Sequence, residues 1–519
     1  MIILLHRIII FISLSHFIYA QNYYNHPEIE WRTFETENFQ IHFYNSTEGT
    51  AREGAYVAEK IYPLITNIYD YKPNQKTDII FLDTDDISNG AAYYYDNKIM
   101  IWASPMDFEL RGSHRWLQNV ITHEYAHIVS MQKAMKAGLR FPGAYLQWLG
   151  YEDEKRKDVL YGYPNRLASY AIPGTAVPPW LAEGTAQFMY DGADWDNWDT
   201  HRDMILRDRT MNDNLLSFTE MNTFGKSGIG NESTYNSGYK LCRFIALSYG
   251  SDKLKEILMN LSSPFQFSVN NAIKKSIGIS GDKLYEDFKE SLNNGYSLLT
   301  NNIIKYRSNA NIITDKGTAN LHPAWSPDGK KVSYISNADN DFFGQTDLFI
   351  YDVDSGEGKN IKRNVISSPS WNNDGSVIYY SKRAKYPNKY GSRYFDLYEY
   401  HFDEEKENRL TIDARAFSPC FIPTDSSLVY LATYDGGQNI FHINLTTRKT
   451  QKLTNYTDRS MISNLSFDED NNRLLFDITR NHFRDIAYLS FEDSVLGYLF
   501  ENKEWDERDA DISSGKIIY

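Results

Sequence analysis

The sequence predicts two domains of different fold class, an α+β domain over residues 21–300 and an all-β propeller over residues 301–519. At 519 residues the chain is longer than one hydrophobic core usually organises. Helical periodicity dominates the first part, whereas short strands separated by turn residues fill the second. Because 42% of the residues are hydrophobic and 24% are charged, the chain has the composition of a globular protein.

Residues 1–20 have the pattern of an export signal. Arg7 precedes an apolar run over residues 8–12, and the small residue Ala20 ends the segment. A membrane anchor or a first strand is the alternative, but polar residues interrupt the run well short of the roughly 20 apolar residues that a span needs. We therefore expect cleavage after Ala20 and export to the periplasm, the cell envelope or the outside of a Gram-negative-type bacterium. No transmembrane helix is expected in the mature chain.

The net charge limits which partners the chain can bind, and the number of cysteines limits how the fold can be stabilised. The formal net charge of −14 argues against a nucleic-acid partner, because no basic surplus is present to neutralise phosphates. The two cysteines, Cys242 and Cys420, fall in different predicted domains, so no disulfide framework is expected. Stability must therefore come from the hydrophobic cores.

In the first domain, segments of alternating polarity precede longer segments of helical period. Residues 39–44 alternate apolar and polar side chains, which is typical of a half-buried strand. Apolar residues in 50–70 recur at helical spacing. On these criteria the predicted strands are 39–44, 78–83 and 98–102, and the predicted helices are 50–70, 114–136, 179–191, 235–249, 252–262 and 280–298.

The second domain contains a repeat. Four units each begin with an aromatic residue, then turn residues, then a strand rich in β-branched and aromatic side chains. The opening aromatic residues are 46, 50 and 46 residues apart, at Trp325, Trp371, Phe421 and Phe467. A period of this length with four strands per unit is typical of a β-propeller. An ordinary β-sandwich with coincidental turns is the alternative.

A fifth unit begins at residues 512–519, where the sequence ends. A propeller closes by pairing its last blade with its first, and half a blade would leave an open strand edge. We therefore expect an incomplete propeller, either because the chain is a fragment of a longer protein or because its closure is unusual.

The segment HEYAH at 123–127 lies in a predicted helix. Residues four apart lie on one helical face, so His123 and His127 can both reach a single Zn²⁺. Glu124 is then placed beside the metal, where it can take a proton from water. Ser113 is the predicted N-cap of this helix. A chance match on a surface helix is the alternative.

Zinc needs a third protein ligand if one position is to stay open for water. The residues after His127 lack the glycine and histidine that a metzincin has there, which excludes that subclass. The segment PPWLAEGTAQF at 178–188 offers Glu183, because proline suits the first turn of a helix. Small residues beside it, Gly184 among them, would let this helix pack closely on the helix that carries HEYAH, which has the pattern HExxH and is called the HExxH helix below. The alternative is an amphipathic helix whose Glu183 faces solvent.

Together, HEYAH and PPWLAEGTAQF resemble the gluzincins, zinc metallopeptidases of peptidase clan MA, over about residues 30–300. The resemblance implies a zincin-like α+β domain, with an edge-stranded sheet beside its active-site helices and Zn²⁺ as cofactor. The repeats in 301–519 resemble the TolB-like propeller.

The gluzincin resemblance implies two further sites. Gly90, Ala91 and Ala92 look like the edge strand that pairs with substrate backbone, and their small side chains would allow an extended peptide to approach; a plain glycine turn is the alternative. Tyr235 resembles a tyrosine whose hydroxyl stabilises the oxyanion, with a core aromatic residue as the alternative. Gln187 departs from the thermolysin-like pattern, which has an aspartate at that position.

These residues predict an exported zinc peptidase that hydrolyses a peptide or protein substrate, with Glu124 as general base. The alternative is a non-catalytic binding or assembly protein, with a structural zinc domain and a propeller that holds a protein partner. The intact HExxH motif together with Glu183 favours the enzyme.

Overall fold

A computed structural model describes the chain from residue 26 onward with several gaps. The described residues are 26–105, 115–136, 144–150, 166–172, 174–193, 202–224, 229, 231–308, 310–340, 344–480, 483–502, 504–513 and 515–519. The predicted export signal, residues 1–20, lies outside them. Within them, no helix combines the length and the apolar character needed to cross a membrane.

The N-terminal part contains a five-stranded mixed sheet. Its strands are β1 (Arg32–Glu35), β2 (Phe39–Phe43), β3 (Thr77–Leu82), β4 (Ser88–Tyr93) and β5 (Lys98–Ala103), in the spatial order β1-β2-β3-β5-β4. Strands β2, β3 and β5 run parallel, while β4 pairs antiparallel with β5. Buried and part-buried residues alternate along β2, β3 and β5, which places one face of the sheet on the core. Strand β4 has no fully buried residue and forms the last strand of the described sheet.

The described residues of this part also form eight α-helices. They are α1 (Glu48–Tyr69), α2 (Trp116–Lys133), α3 (Pro179–Ala193), α4 (Met204–Met211), α5 (Glu232–Tyr249), α6 (Asp252–Ser262), α7 (Val269–Ile277) and α8 (Gly281–Lys305). A two-stranded hairpin lies between α2 and α3, formed by β6 (Ala144–Gly150) and β7 (Arg166–Ile172). Helices α4 and α7 are absent from the predicted set, because eight or nine residues offer barely two turns of periodicity.

Helix α1 shows how the predicted periodicity becomes a buried face. Its buried apolar residues recur every three or four positions, at Ala51, Ala55, Ala58, Ile61, Ile65 and Tyr69. They join one core with the buried face of the sheet and with residues of α2, α3, α5, α6, α7 and α8. The α+β character of this part is therefore as predicted.

The C-terminal part is a four-blade propeller-like region, which confirms the predicted propeller. Each blade is a four-stranded antiparallel meander. The blades are β8–β11 (Asn320–Trp325, Lys331–Ser336, Asp347–Asp352, Glu357–Lys362), β12–β15 (Val365–Trp371, Val377–Arg383, Phe395–His401, Lys406–Arg409), β16–β19 (Ala416–Ile422, Ser427–Tyr434, Gly437–Asn444, Thr450–Lys452) and β20–β23 (Met461–Asp468, Arg473–Arg480, Phe483–Ser490, Leu496–Phe500). The four repeating aromatic residues all lie at or near the end of the first strand of a blade.

The predicted fifth unit forms a hairpin, β24 (Asp511–Ser513) and β25 (Lys516–Ile518). It lies beside β20, where Ser466 Oγ and Asp511 Oδ1 are 2.9 Å apart and Asn464 Nδ2 donates to Ala510 O at 3.2 Å. The hairpin therefore lies next to the fourth blade, in the position expected for the start of a fifth.

Candidate metal centre

Three of the predicted site residues converge on one point. The Nε2 atoms of His123 and His127 are 3.0 Å apart, and Glu183 Oε2 lies 3.0 Å from the first and 3.2 Å from the second. His123 and Glu183 are buried, with 6% and 8% of their surfaces exposed, and His127 is part-buried. Within the described residues this is the one group of three or more histidine, cysteine or acidic side chains that could hold a metal ion.

Two helices supply these ligands. His123 and His127 are one turn apart on α2, which is buried along most of its length. Glu183 lies one turn into α3, whose first residue is Pro179, a position that suits proline because the first amides of a helix need no partner within it. The predicted N-cap of α2 is wrong: the helix begins at Trp116 with Arg115 as N-cap, and Ser113 lies outside the described residues.

The charges of the three groups favour a cation between them. Burial lowers the pKa of the His127 imidazole, but attraction from the Glu183 carboxylate outweighs it, so the pKa is raised above its usual value. Burial acts to raise the pKa of the Glu183 carboxyl, but the two imidazoles outweigh it and hold the pKa far below its usual value. Glu183 therefore stays ionised, and a positive charge between the three atoms is favoured.

The donor set fits a zinc ion. If both imidazoles are neutral and present the lone pairs of Nε2, two nitrogen atoms and one carboxylate oxygen face each other with no proton between them, which requires a cation. Ligand atoms around one tetrahedral zinc ion are separated by about 3.3 Å, only slightly more than the 3.0 to 3.2 Å between these atoms. Two histidines and a carboxylate are also a ligand set that leaves a fourth position open.

Glu124 lies next to His123 in the sequence and faces Gly90 of strand β4. It is 7% exposed, and its charge contributes to the raised pKa of His127. A Cβ atom added to Gly90 on β4 would be 2.6 Å from Glu124 Oε1 and 2.5 Å from Val120 Cγ2. The glycine is therefore required for the strand to approach α2 this closely. Its neighbours Ala91 and Ala92 continue the same strand, opposite Met100 and Ile99 of β5.

Tyr235 lies beside His123, the first of the two histidines on α2. Its ring stacks on His123 at a centroid distance of 6.1 Å and an interplanar angle of 21°. Phe224 stacks on Tyr235, also at 6.1 Å. The sequence analysis missed Phe224, since it lies outside regular secondary structure and no periodicity marks it.

The close packing predicted at Gly184 has a different partner from the expected one. A Cβ atom on Gly184 would lie 2.3 Å from Gly238 O, and a Cβ atom on Gly238 would lie 2.3 Å from Trp180 O. Helix α3 therefore meets α5 backbone to backbone at this pair of glycines, rather than meeting the HExxH helix there. Gln187, one turn after Glu183, is 2% exposed, and its Oε1 accepts no hydrogen bond within the described residues.

Comparisons with known proteins add little about this site. No family model matches the chain, and no curated protein matches it. Among solved structures it is similar to TolB from Acinetobacter baumannii, with 16% identity and a TM-score of 0.32, over 39% of this chain and 48% of that one. It is also similar to a putative TolB from Agrobacterium tumefaciens, with 16% identity and a TM-score of 0.31, over 36% of this chain and 67% of that one. For the β-propeller domain of the Trilobed protease from Pyrococcus furiosus, the identity is 11% and the TM-score 0.29, over 38% of this chain and 59% of that one.

This chain spans about half the length of the Acinetobacter protein (48%). At such identities and TM-scores, the likeness carries no information on activity. The chemistry of the site must be argued from its own residues.

Proposed function

We propose that this protein is a zinc metallopeptidase of the gluzincin type, with a zincin-like N-terminal domain. The observation that carries the proposal is the convergence of two imidazole nitrogens and one carboxylate oxygen beside a second carboxylate, Glu124, and an edge strand. His123, His127 and Glu183 would hold the ion. Zn²⁺, when bound, supplies a Lewis acid that polarises a carbonyl group and lowers the pKa of water.

Glu124 would act as the general base. Its carboxylate lies next to the metal-binding residues, so it can accept the proton of the attacking water and pass it to the leaving amine. Tyr235, stacked on His123, would donate its hydroxyl proton in a hydrogen bond to the oxyanion of the tetrahedral intermediate. Both groups act on charge that develops in the transition state, so both should affect kcat more than KM.

Strand β4 would bind the substrate. It is the last strand of the described sheet, and its residues 90–92 have only hydrogen or methyl side chains. An extended peptide can add to such an edge through main-chain hydrogen bonds. Because Gly90 lies against Glu124, a peptide on this edge would present its carbonyl groups near the general base.

The test is the substitution Glu124→Gln in the full chain, because glutamine has the size of glutamate but cannot take a proton. We expect a zinc content of one ion per chain, as in the wild type, and a loss of cleavage of a quenched fluorescent peptide library by at least about 100-fold. Glu286→Gln, an exposed carboxylate on α8, is the matched control and should cleave normally. Cleavage by the Glu124→Gln protein at the wild-type rate would refute the general-base role. Zinc-loaded wild type that cleaves no peptide would refute peptidase activity.

A further inference from the structure

Among the contacts between the propeller and the N-terminal part of the chain, Arg415 makes a cluster of hydrogen bonds to buried carboxylates. Arg415 lies just before β16, the first strand of the third blade. Its Nη1 and Nη2 donate to the two carboxylate oxygens of Asp83 at 2.7 and 2.6 Å, and its Nε donates to Asp86 Oδ1 at 2.7 Å. Both carboxylates are buried, at 5% and 1% exposure. This is the bidentate geometry that arginine provides and lysine cannot.

Asp83 and Asp86 belong to a short acidic loop, residues 83–86, which the second blade also contacts. The backbone amide of Phe395 donates to Asp86 Oδ2 at 2.7 Å, and that of Arg393 donates to Asp85 Oδ1 at 2.8 Å. Arg383 Nη2 donates to the carbonyl oxygen of Asp86 at 2.8 Å. Every carboxylate of the acidic loop thus has a partner on the propeller.

The acidic loop leads directly into the edge strand. Asp86 is two residues before Ser88, where β4 begins, and Arg415 also donates to Ser104 Oγ, just after β5 ends. Because Ser88 pairs with Ala103, these contacts hold the two neighbouring ends of the β4–β5 pair. The propeller therefore anchors one end of the strand that carries Gly90.

The propeller also contacts the start of the HExxH helix. Arg115, the N-cap of α2, donates to the carbonyl oxygen of Asp458 at 2.8 Å and to Glu53 Oε1 at 2.7 Å. At the start of α1, the carboxylate of Asp435 accepts from the amides of Gly49 and Thr50 at 3.0 and 2.8 Å. Both walls of the candidate cleft, β4 and α2, thus have neighbouring residues that are hydrogen-bonded to the propeller.

We propose that contacts from the propeller are needed to form the active site, and that Arg415 is a positioning residue. Its hydrogen bonds would fix the distance between β4 and the Glu124 side chain. This inference rests on the proposed peptidase function. A peptide added to β4 can meet the general base only if the strand is held at the right distance, and a misplacement of about 1 Å costs about 100-fold in rate. The third blade supplies that constraint from more than 300 residues away in the sequence.

The experiment compares Arg415→Ala and Arg415→Lys with Arg409→Ala in the full chain. Arg409 pairs with the buried carboxylate of Asp396 at 2.5 Å inside the second blade. Its loss therefore also leaves a buried carboxylate without its arginine partner, but removes no contact with the acidic loop. We expect both Arg415 variants to bind zinc normally, to raise KM and to lower kcat/KM by at least 10-fold. Arg409→Ala should keep the wild-type kcat/KM. If Arg415→Ala does not fold, Arg415→Lys, which keeps a cation, provides the comparison.

Hydrogen exchange supplies a readout that needs no substrate. Amides of residues 88–93 should exchange faster in Arg415→Ala than in the wild type, and at the wild-type rate in Arg409→Ala. This result can be obtained even if the protein cleaves no peptide, so failure of the peptidase proposal and failure of the positioning proposal are distinguishable. Unchanged exchange in β4, or wild-type kcat/KM in the zinc-loaded Arg415 variants, would overturn the role of Arg415.

Discussion

Replacing Gly90 with alanine should separate the geometry of the cleft from the binding of metal. The new Cβ atom would lie 2.5 Å from Val120 Cγ2 and 2.6 Å from Glu124 Oε1, where ordinary contact begins at 3.4 Å. Either β4 must therefore move by about 0.9 Å, or the side chains of Val120 and Glu124 must move by about 0.9 and 0.8 Å. A displacement of about 1 Å between a general base and its substrate costs about 100-fold in rate, and overpacking costs about 1 to 3 kcal/mol of stability.

The assay for Gly90→Ala is kcat/KM on a quenched peptide, together with zinc content and thermal unfolding. We expect a fall of about 100-fold in kcat/KM with zinc retained, because the atoms nearest to the new methyl group belong to Val120 and Glu124, which are not among the three candidate ligands. Gly295→Ala is the matched control: apart from its chain neighbours and the backbone of its own helix, no atom of the described residues lies within 4 Å of the added Cβ. At this exposed position of α8 the alanine should stabilise the protein by about 1 kcal/mol. Wild-type kcat/KM in Gly90→Ala would refute the close approach of β4 to the general base.

Further outcomes follow from the other site residues. Glu183→Gln should weaken zinc binding by more than about 100-fold in a competition with a chelator, since it removes the charged ligand. Tyr235→Phe keeps the ring that stacks on His123 and should lower kcat by about 100-fold with zinc content unchanged; an unchanged kcat would exclude the oxyanion role. Gly184→Ala should destabilise the protein by about 1 to 3 kcal/mol or more, measured by denaturant unfolding, because its methyl group would meet Gly238 O at 2.3 Å. Chelation should abolish cleavage and lower the unfolding midpoint, and excess zinc should restore both, since saturation to about 1,000 times the dissociation constant contributes about 4 kcal/mol.

The features that the sequence alone determined are those with a period or a local signal. The spacing of His123 and His127 places them on one helical face whatever surrounds the helix, and Pro179 marks the start of the next helix. The recurrence of Trp371 and its three counterparts every 46 to 50 residues marks the blades. Such patterns are legible because the geometry of a helix or a meander repeats within a short stretch of chain.

Only the tertiary structure decided which elements meet. It brings Glu183 to the two histidines, turns Gly184 towards Gly238 rather than the HExxH helix, and makes Arg115 the N-cap of α2. It also joins Arg415 to Asp83, 332 residues earlier, although neither residue belongs to a motif. Contacts of this kind depend on how whole elements pack. A single charged residue belongs to no periodic pattern, so the sequence does not indicate which residue it will pair with. The fold class and the helix that carries both histidines are therefore local properties of this chain, whereas the approach of β4 to α2 arises from the packing of elements that are separate in the sequence.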